Sequence, residues 1–409
     1  MEMMFLGGVF SKEMEKEILD NSKGTVHYAA NKFQWALIDG IMNNNDIHLE
    51  VLSAPFIGTY PKEYSKLFYG NHSDFYKNEI LCNYVSFCNL WGYRNLSRKD
   101  SLKKAIENFI LKKDSRKVIL VYSPHTPFLQ AAVYAKQKDP SIHICLVVPD
   151  LPIYMNLNEK KSILYKLFKK IDIKTFESIL EKVDSFVLIT EYMKDILKVG
   201  KRPYVVVEGV VDDANNELNK NVQDIKSEEE SKTIVYTGTL NKKFGVLNLV
   251  QAFHEIDHPN LYLKICGRGD ASDLINDYIK NDNRICYLGQ LTNEESIRLQ
   301  RDATVLVNPR PNNEEFTKYS FPIKTMEYLL SGKPVIAYKL DGIPNEYDDY
   351  IFYIEEDTIE SLKNKIYEVI NLSYKERIAM GEKARNFILK NKNSSKIGID
   401  IFNMINSNM

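Results

Sequence analysis

Short apolar runs and longer stretches with apolar residues every three or four positions alternate along nearly the whole chain. An uninterrupted apolar run suits a strand buried on both faces, and the periodic stretches suit helices that bury one side. Their alternation predicts parallel sheets covered by helices. Strands are expected at 3–9, 48–53, 118–122, 143–148, 185–189 and 204–207, then at 233–237, 261–266, 284–288, 304–307 and 334–337. Helices are expected at 12–20, 26–41, 102–111 and 128–136, and near the end at 374–390 and 396–406. Between the two series, residues 209–232 are polar and acidic, with Asp212-Asp213 and Glu228-Glu-Glu230, and read as a linker. The fold class is therefore α/β, with two doubly wound Rossmann-like domains divided near residue 208. Such sheets bind ligands outside the carboxyl ends of their strands, so two of them facing each other would share a cleft.

Bulk properties narrow the function. With 409 residues, 44% hydrophobic and 27% charged, the chain can bury two large cores. A net charge of -1 and a pI near 6.7 leave no global cationic field, which argues against a dedicated nucleic-acid binder. Residues 1–9 are too short and lack the basic flank of a signal peptide, and no later apolar run approaches the ~20 residues of a membrane span, so a cytoplasmic protein is expected. The five cysteines form no C-x-x-C pair and sit mostly in apolar surroundings, which suits buried thiols better than a metal site or disulfides.

The densest chemistry lies in Tyr319-Ser-Phe-Pro-Ile-Lys-Thr-Met-Glu-Tyr-Leu-Leu-Ser-Gly-Lys-Pro-Val335. Ser320 suits an N-cap and Pro322 a first helical turn, so the helix that follows would present free N–H groups and its positive dipole end to an anion such as a diphosphate. Lys324 adds charge. On the same helix Glu327 can accept both hydroxyls of a ribose while Met326, Leu329 and Leu330 pack inward. Gly332 ends the helix. Upstream, a strand runs into Gly238-Thr-Leu-Asn-Lys-Lys-Phe-Gly245, a strand–loop–helix unit that can cradle phosphate with backbone N–H groups, although it has neither the G-x-G-x-x-G nor the P-loop spacing. In Cys266-Gly-Arg-Gly-Asp270, Gly267 permits close backbone approach and Arg268 can lie over a base. Leu288-Gly289 ends the next strand. In Asn308-Pro-Arg-Pro311, Arg310 is either a donor contact or a surface charge.

The first half offers Gly7-Gly8 at a strand end and Lys23-Gly24-Thr25 before a helix. His125, in Ser123-Pro-His-Thr-Pro127, follows a buried strand, and its imidazole can titrate near neutrality as acid, base or sugar-hydroxyl ligand. Asp150, in Pro149-Asp-Leu-Pro152, is a second candidate at a strand end. Residues 159–171 set Ile163, Leu164, Leu167, Phe168 and Ile171 at helical spacing among Lys160, Lys161, Lys166, Lys169 and Lys170. That pattern fits an interfacial basic helix on anionic lipid or an ordinary packed helix.

The run at 319–335 resembles the donor-binding motif of glycosyltransferase family 4, retaining enzymes of the GT-B fold. The resemblance implies an acceptor-binding domain over 1–208, a nucleotide-sugar-binding domain over 209–385, and a last helix, about 386–409, that returns to the first. It implies transfer of a hexose-type sugar, with retention, from a nucleoside diphosphate donor, UDP-linked, to a bacterial surface or capsule polysaccharide or a polyprenyl-diphosphate-linked precursor. No cofactor, metal or nucleic acid is implied, and peripheral contact with the inner face of the plasma membrane would run through residues 159–171. Similar enzymes hold the diphosphate with an arginine and a lysine of the glycine loop. Here Thr239 stands at the arginine position, leaving Lys242, Lys243 and Lys324 to stabilise the leaving group. The family places two glutamates eight positions apart, and the first falls on Tyr319, with Glu314 or Glu315 as substitutes. The resemblance further sets Gly8 beside the donor phosphate, backbone at Gly238, Ser320, Phe321 and Pro322 around the donor, and Leu288 at the base edge. The family's histidine position holds Pro149, so catalytic roles pass to His125 and Asp150 beside Lys243 and Lys324. Rivals are a nucleotide-sugar epimerase of the same architecture and a sugar-nucleotide-binding partner subunit without catalysis.

Overall fold

The structure, a computed structural model, describes residues 1–24, 26–44, 46–77, 79–112, 116–151, 173–211 and 231–407. The chain divides into two compact units, Met1–Val210 with Ser394–Met409, and Val211–Asn393.

The first unit is built on an eight-stranded sheet in the order β10-β9-β8-β7-β1-β2-β5-β4. Its strands are β1 (Glu2–Gly7), β2 (His48–Ser53), β4 (His72–Tyr76), β5 (Ile80–Tyr84), β7 (Lys117–Tyr122), β8 (His143–Val148), β9 (Ser185–Leu188) and β10 (Tyr204–Val206), while β3 (Phe68–Tyr69) and β6 (Phe87–Cys88) pair separately. Every residue of β7 and β8 is buried, as the uninterrupted apolar runs require of strands covered on both faces. All neighbours in the large sheet are parallel except β4 and β5. The β4–β5 hairpin is absent from the sequence expectation because β4 is an edge strand of mostly exposed polar residues, without an apolar run. The helix expected at 102–111 begins earlier, at Arg94, and breaks after Ala105.

The second unit carries β11 (Lys232–Thr237), β12 (Leu261–Cys266), β13 (Ile285–Tyr287), β14 (Val305–Asn308), β15 (Val335–Tyr338) and β16 (Phe352–Ile354), all parallel, in the order β13-β12-β11-β14-β15-β16. Strand order reverses between β1 and β7 in the first unit and between β11 and β14 in the second. A crevice opens at such switch points, at the carboxyl ends of the strands.

The helix Tyr374–Asn391 stays in the second unit, and the return begins at Ser394 instead of 386. The last helix, Ser394–Asn406, packs on Tyr28–Met42 almost backbone to backbone: a Cβ at Gly398 would lie 2.1 Å from the Gly40 carbonyl oxygen, and one at Gly40 2.0 Å from that of Ser394. Among the described residues no helix is long and apolar enough to cross a membrane. Cys82, Cys145 and Cys266 are buried thiols, Cys88 is half-buried, and Cys286 is exposed.

Candidate active site

In the second unit the loops leaving β11, β12 and β13 are tied into one layer. The Gly238 amide donates to the Cys266 carbonyl at 3.0 Å, Gly267 to Gly289 at 2.7 Å, Leu240 to Arg268 at 2.9 Å, and the Tyr287 hydroxyl to the Gly267 carbonyl at 2.8 Å. Gly267 has φ +134°, and a Cβ there would sit 1.7 Å from the Gly238 oxygen, so no other residue fits without moving backbone. The loop after β11 continues into a short turn, Lys242–Phe244, capped by Asn241, whose side chain accepts from the Lys243 amide at 3.0 Å. The Lys242 amide donates to Asp270 Oδ1 at 2.9 Å. Gly245, at φ +73°, lets this loop press against the one leaving β14, its missing Cβ being 2.0 Å from the Pro309 oxygen.

That contact places Arg310 at the switch point. Its guanidinium lies 4.8 Å from the Phe316 ring centroid and 5.2 Å from that of Phe244, and Nη2 donates to Ser320 Oγ at 3.3 Å. Nε is buried without a partner. Among the described residues no carboxylate forms an ion pair with Arg310, and burial pushes its pKa down. An arginine cannot escape this by losing its proton, so the site holds a partly buried positive charge without a counterion.

The helix Ile323–Leu330 is fixed to the same strand ends. The Tyr328 hydroxyl accepts from the Thr237 amide at 2.8 Å and donates to the Thr237 carbonyl at 3.0 Å, Gln300 reaches Thr237 Oγ1 at 2.8 Å, and Asn308 reaches Thr325 at 3.0 Å. Ser320 is not the N-cap. Residues Glu315–Tyr319 form a short helical turn that ends on Ser320, its Oγ donates to the Phe316 carbonyl at 3.3 Å, and the helix starts after Pro322. Lys324 and Glu327 pair with each other at 2.7 Å, and Lys243 pairs with Glu314 at 3.6 Å, all four partly exposed. Thr239 and Arg268 are exposed, while Tyr319 is half-buried. Phe321 is buried against Tyr347 at 5.4 Å and Pro322 is buried, so only their backbone could meet a ligand. The Leu288 amide is used by the Ile265 carbonyl at 2.8 Å, while its side chain is 38% exposed.

At the first unit's switch point the chemistry differs. The Gly8 amide donates to Gln34 Oε1 at 2.9 Å and the Phe56 ring lies where a Cβ would be, so this N–H is already engaged. His125 precedes the helix Thr126–Lys138, with its ring 5.8 Å from Phe56 and 4.7 Å from Phe128, and its Nδ1 is buried without a partner. Burial first, then the guanidiniums of Arg98 and Arg94, hold the imidazole well below its ordinary pKa. His125 therefore stays neutral near pH 7 and does not titrate there as the sequence alone suggests. Asp150, next to Tyr122, is pushed up by burial. Thr25 and residues 159–171 lie outside the described residues.

Sequence reasoning missed the Phe244–Phe316 clamp, the buried Arg98 and the Tyr328 anchor. The prolines flanking Arg310 were the available signal for the first, since they hold the arginine's backbone in place. Arg98 lies in an ordinary polar helix, and nothing local marks the Tyr328 hydroxyl.

Residues 218–387 match the family model described as glycosyl transferases group 1. No curated protein sequence matches the chain. Among solved structures, the chain is similar to the apo form of the lipopolysaccharide outer core galactosyltransferase WaaB, at 13% identity over 100% of both chains with a TM-score of 0.64. It is also similar to HepE from Anabaena in complex with UDP, at 13% identity over 100% of both chains and a TM-score of 0.60. Sucrose-phosphate synthase from Thermosynechococcus elongatus aligns at 14% identity over 100% of this chain and 99% of its own, with a TM-score of 0.60.

Proposed function

With residues 218–387 a glycosyl transferases group 1 domain and the chain in the GT-B fold, we propose that the protein transfers a hexose-type sugar from a UDP-linked donor to a glycan or lipid-linked acceptor, with retention of configuration. The observation that carries this reading is Arg310. A clamped guanidinium with no carboxylate, at the strand-order reversal of a doubly wound sheet, suits a diphosphate, whose oxygens can take both its free Nε–H and its Nη donors. It supplies the guanidinium that Thr239 does not. HepE, of the same fold, is solved with UDP, which supports the choice of nucleotide.

The pair Lys324–Glu327 then works as a linked switch on the donor. When ribose hydroxyls donate to the Glu327 carboxylate they compete with Lys324, whose ammonium turns to the diphosphate. As the bond from the anomeric carbon to the diphosphate breaks, charge grows on the leaving oxygen, where Arg310, Lys242, Lys243 and Lys324 favour it over the ground state. His125, held neutral, serves as a hydrogen-bonding ligand for a sugar hydroxyl.

Calorimetric titration of UDP into wild type and Arg310→Gln tests this. Loss of a charged hydrogen bond should weaken UDP by about 2 kcal/mol, roughly 30-fold. Equal affinity would remove Arg310 from the site. Incubation of UDP-sugar with an acceptor extract should give product with the donor's anomeric configuration by NMR. Consumption that does not need the acceptor would favour the epimerase, and binding without turnover the partner subunit.

A further inference from the structure

A charged side chain, Arg98, is among the largest that the first unit buries completely. It is 1% exposed, its guanidinium lies 4.3 Å from the Phe87 ring centroid, and its Nε is buried without a partner. Among the described residues no carboxylate forms an ion pair with it, and burial pushes its pKa down although an arginine keeps its proton. Arg94, one turn earlier on the helix Arg94–Ala105, shares its face and is half-buried. A charge placed this way is costly, and its hydrogen bonds show what it secures. Arg98 Nη2 donates to the Pro55 carbonyl at 2.5 Å, Arg94 Nη1 to that of Ile57 at 2.9 Å, and Asn89 Nδ2 to that of Gly58 at 2.7 Å. From the other side the amides of Ala54 and Phe56 donate to the carbonyls of Gly7 and Gly8 at 3.0 and 3.1 Å. The loop leaving β2 is therefore tied both to the helix and to the end of β1, and the residue at its centre is Phe56. Its half-buried ring stands over Gly8 and meets His125 edge-on at 5.8 Å, Phe128 at 5.7 Å and Tyr122 at 6.4 Å.

We infer that Phe56 is a specificity-determining residue of the first unit's crevice, a platform for the C–H face of a pyranose acceptor, and that Arg98, Arg94 and Asn89 are positioning residues that aim it. The axial C–H groups on one face of a pyranose form an apolar patch that an aromatic ring can cover, while the hydroxyls around its rim take hydrogen bonds. His125, held neutral beside the ring, offers such a bond without a charge. The guanidiniums act through the loop and not on the acceptor, since Arg98 is closed off from solvent and both spend donors on the loop's carbonyls. The inference rests on the reading of the chain as a glycosyltransferase, and adds to it that the acceptor is recognised by a neutral ring face instead of a charged group.

Saturation-transfer NMR on the full chain tests this, with methyl β-D-glucopyranoside, all of whose ring substituents are equatorial, as the probe. Sorbitol, which carries hydroxyls but no ring face, is its control. The expected result is transfer to the ring protons of the glycoside and none to sorbitol, with affinity for the glycoside about tenfold lower in Phe56→Leu. Arg98→Met should weaken the glycoside about as much, and Arg98→Lys, which keeps a donor for the Pro55 carbonyl, should restore part of the loss. Arg94→Gln, at a half-buried position, gives the same reading where Arg98→Met does not fold. Equal transfer to glycoside and sorbitol, or an affinity that Phe56→Leu leaves unchanged, would overturn the inference. So would thermal stabilisation by inorganic phosphate that Arg94→Gln abolishes, which assigns the guanidiniums to an anion. No transfer to the glycoside in a wild type that binds UDP would overturn it and leave the donor reading standing. Transfer that depends on Phe56 in a protein that does not bind UDP would support it and remove the donor reading instead.

Discussion

At the first unit's switch point, between β1 and β7, Gly8 lies under the Phe56 ring and His125 sits edge-on between Phe56 and Phe128, with its ring held neutral. At the second unit's, between β11 and β14, a guanidinium is clamped between Phe244 and Phe316 with lysines on the loops either side. Both crevices arise from the same reversal of strand order. Topology therefore places a site, and the side chains at the strand ends decide its ligand. Aromatic packing around a cation without a counterion leaves room for an anion's charge, whereas the same rings around a neutral imidazole offer one hydrogen bond and an apolar wall, which suits a sugar better than a phosphate.

The strongest way to break this comparison is at the glycines. Gly267→Ala forces a Cβ into the Gly238 backbone at φ +134° and should cost roughly 3 kcal/mol or more in urea unfolding, with loss of UDP binding. Gly8→Ala meets the Phe56 ring first, a side chain packed against His125 and Phe128 that yields more readily than backbone, and should cost about 1–2 kcal/mol. Equal costs would mean that the two strand ends are equally tight.

Acid titration sharpens it next. Asp282, 7% exposed, is bound by Arg284 at 2.7 Å and by His254 at 3.0 Å, and chiefly through Arg284 its pKa falls to about 2. Against an ordinary value of 3.8 this depression stabilises the second unit by about 2 kcal/mol above pH 4, and the contribution fades as pH falls toward 2. Asp282→Asn should lose that amount at pH 7 and flatten the acid limb of the stability curve. An unchanged curve would show the pair to be inert.

His125 acts in a different window. Because the folded state holds it below its ordinary pKa, the unfolded chain gains a proton first, and stability should fall by about 1 kcal/mol per pH unit as pH drops below 6.5. In His125→Gln that slope should shrink in thermal melts taken across the range, leaving the part owed to His143, whose pKa burial also lowers. A variant that keeps the slope would place the titrating group elsewhere.

Much of the fold was legible because parallel strands leave short apolar runs: fully buried β8, and β2 and β12, whose buried residues alternate with half-buried or exposed ones at the start, have the bounds the pattern predicts. The β4–β5 hairpin was not, since edge strands lack that signature. At the site, the glycine turns and the helix carrying Lys324 and Glu327 could be read from local pattern. The clamp on Arg310 could not, because Phe244 lies on the loop after β11 and Arg310 and Phe316 on the connection after β14, and only the sheet order brings the two loops together. Ser320 misled for a related reason: a cap residue is recognisable only when nothing upstream claims its side chain, and here the turn at Glu315–Tyr319 does.

Hydrogen–deuterium exchange on the full chain with and without saturating UDP tests the central claim most directly. Slower exchange at 238–245, 309–311 and 320–327, absent in Arg310→Gln at the same nucleotide concentration, is the predicted result. Protection confined to 7–8 and 123–125, or none at the second unit's strand ends while UDP is bound, would contradict it.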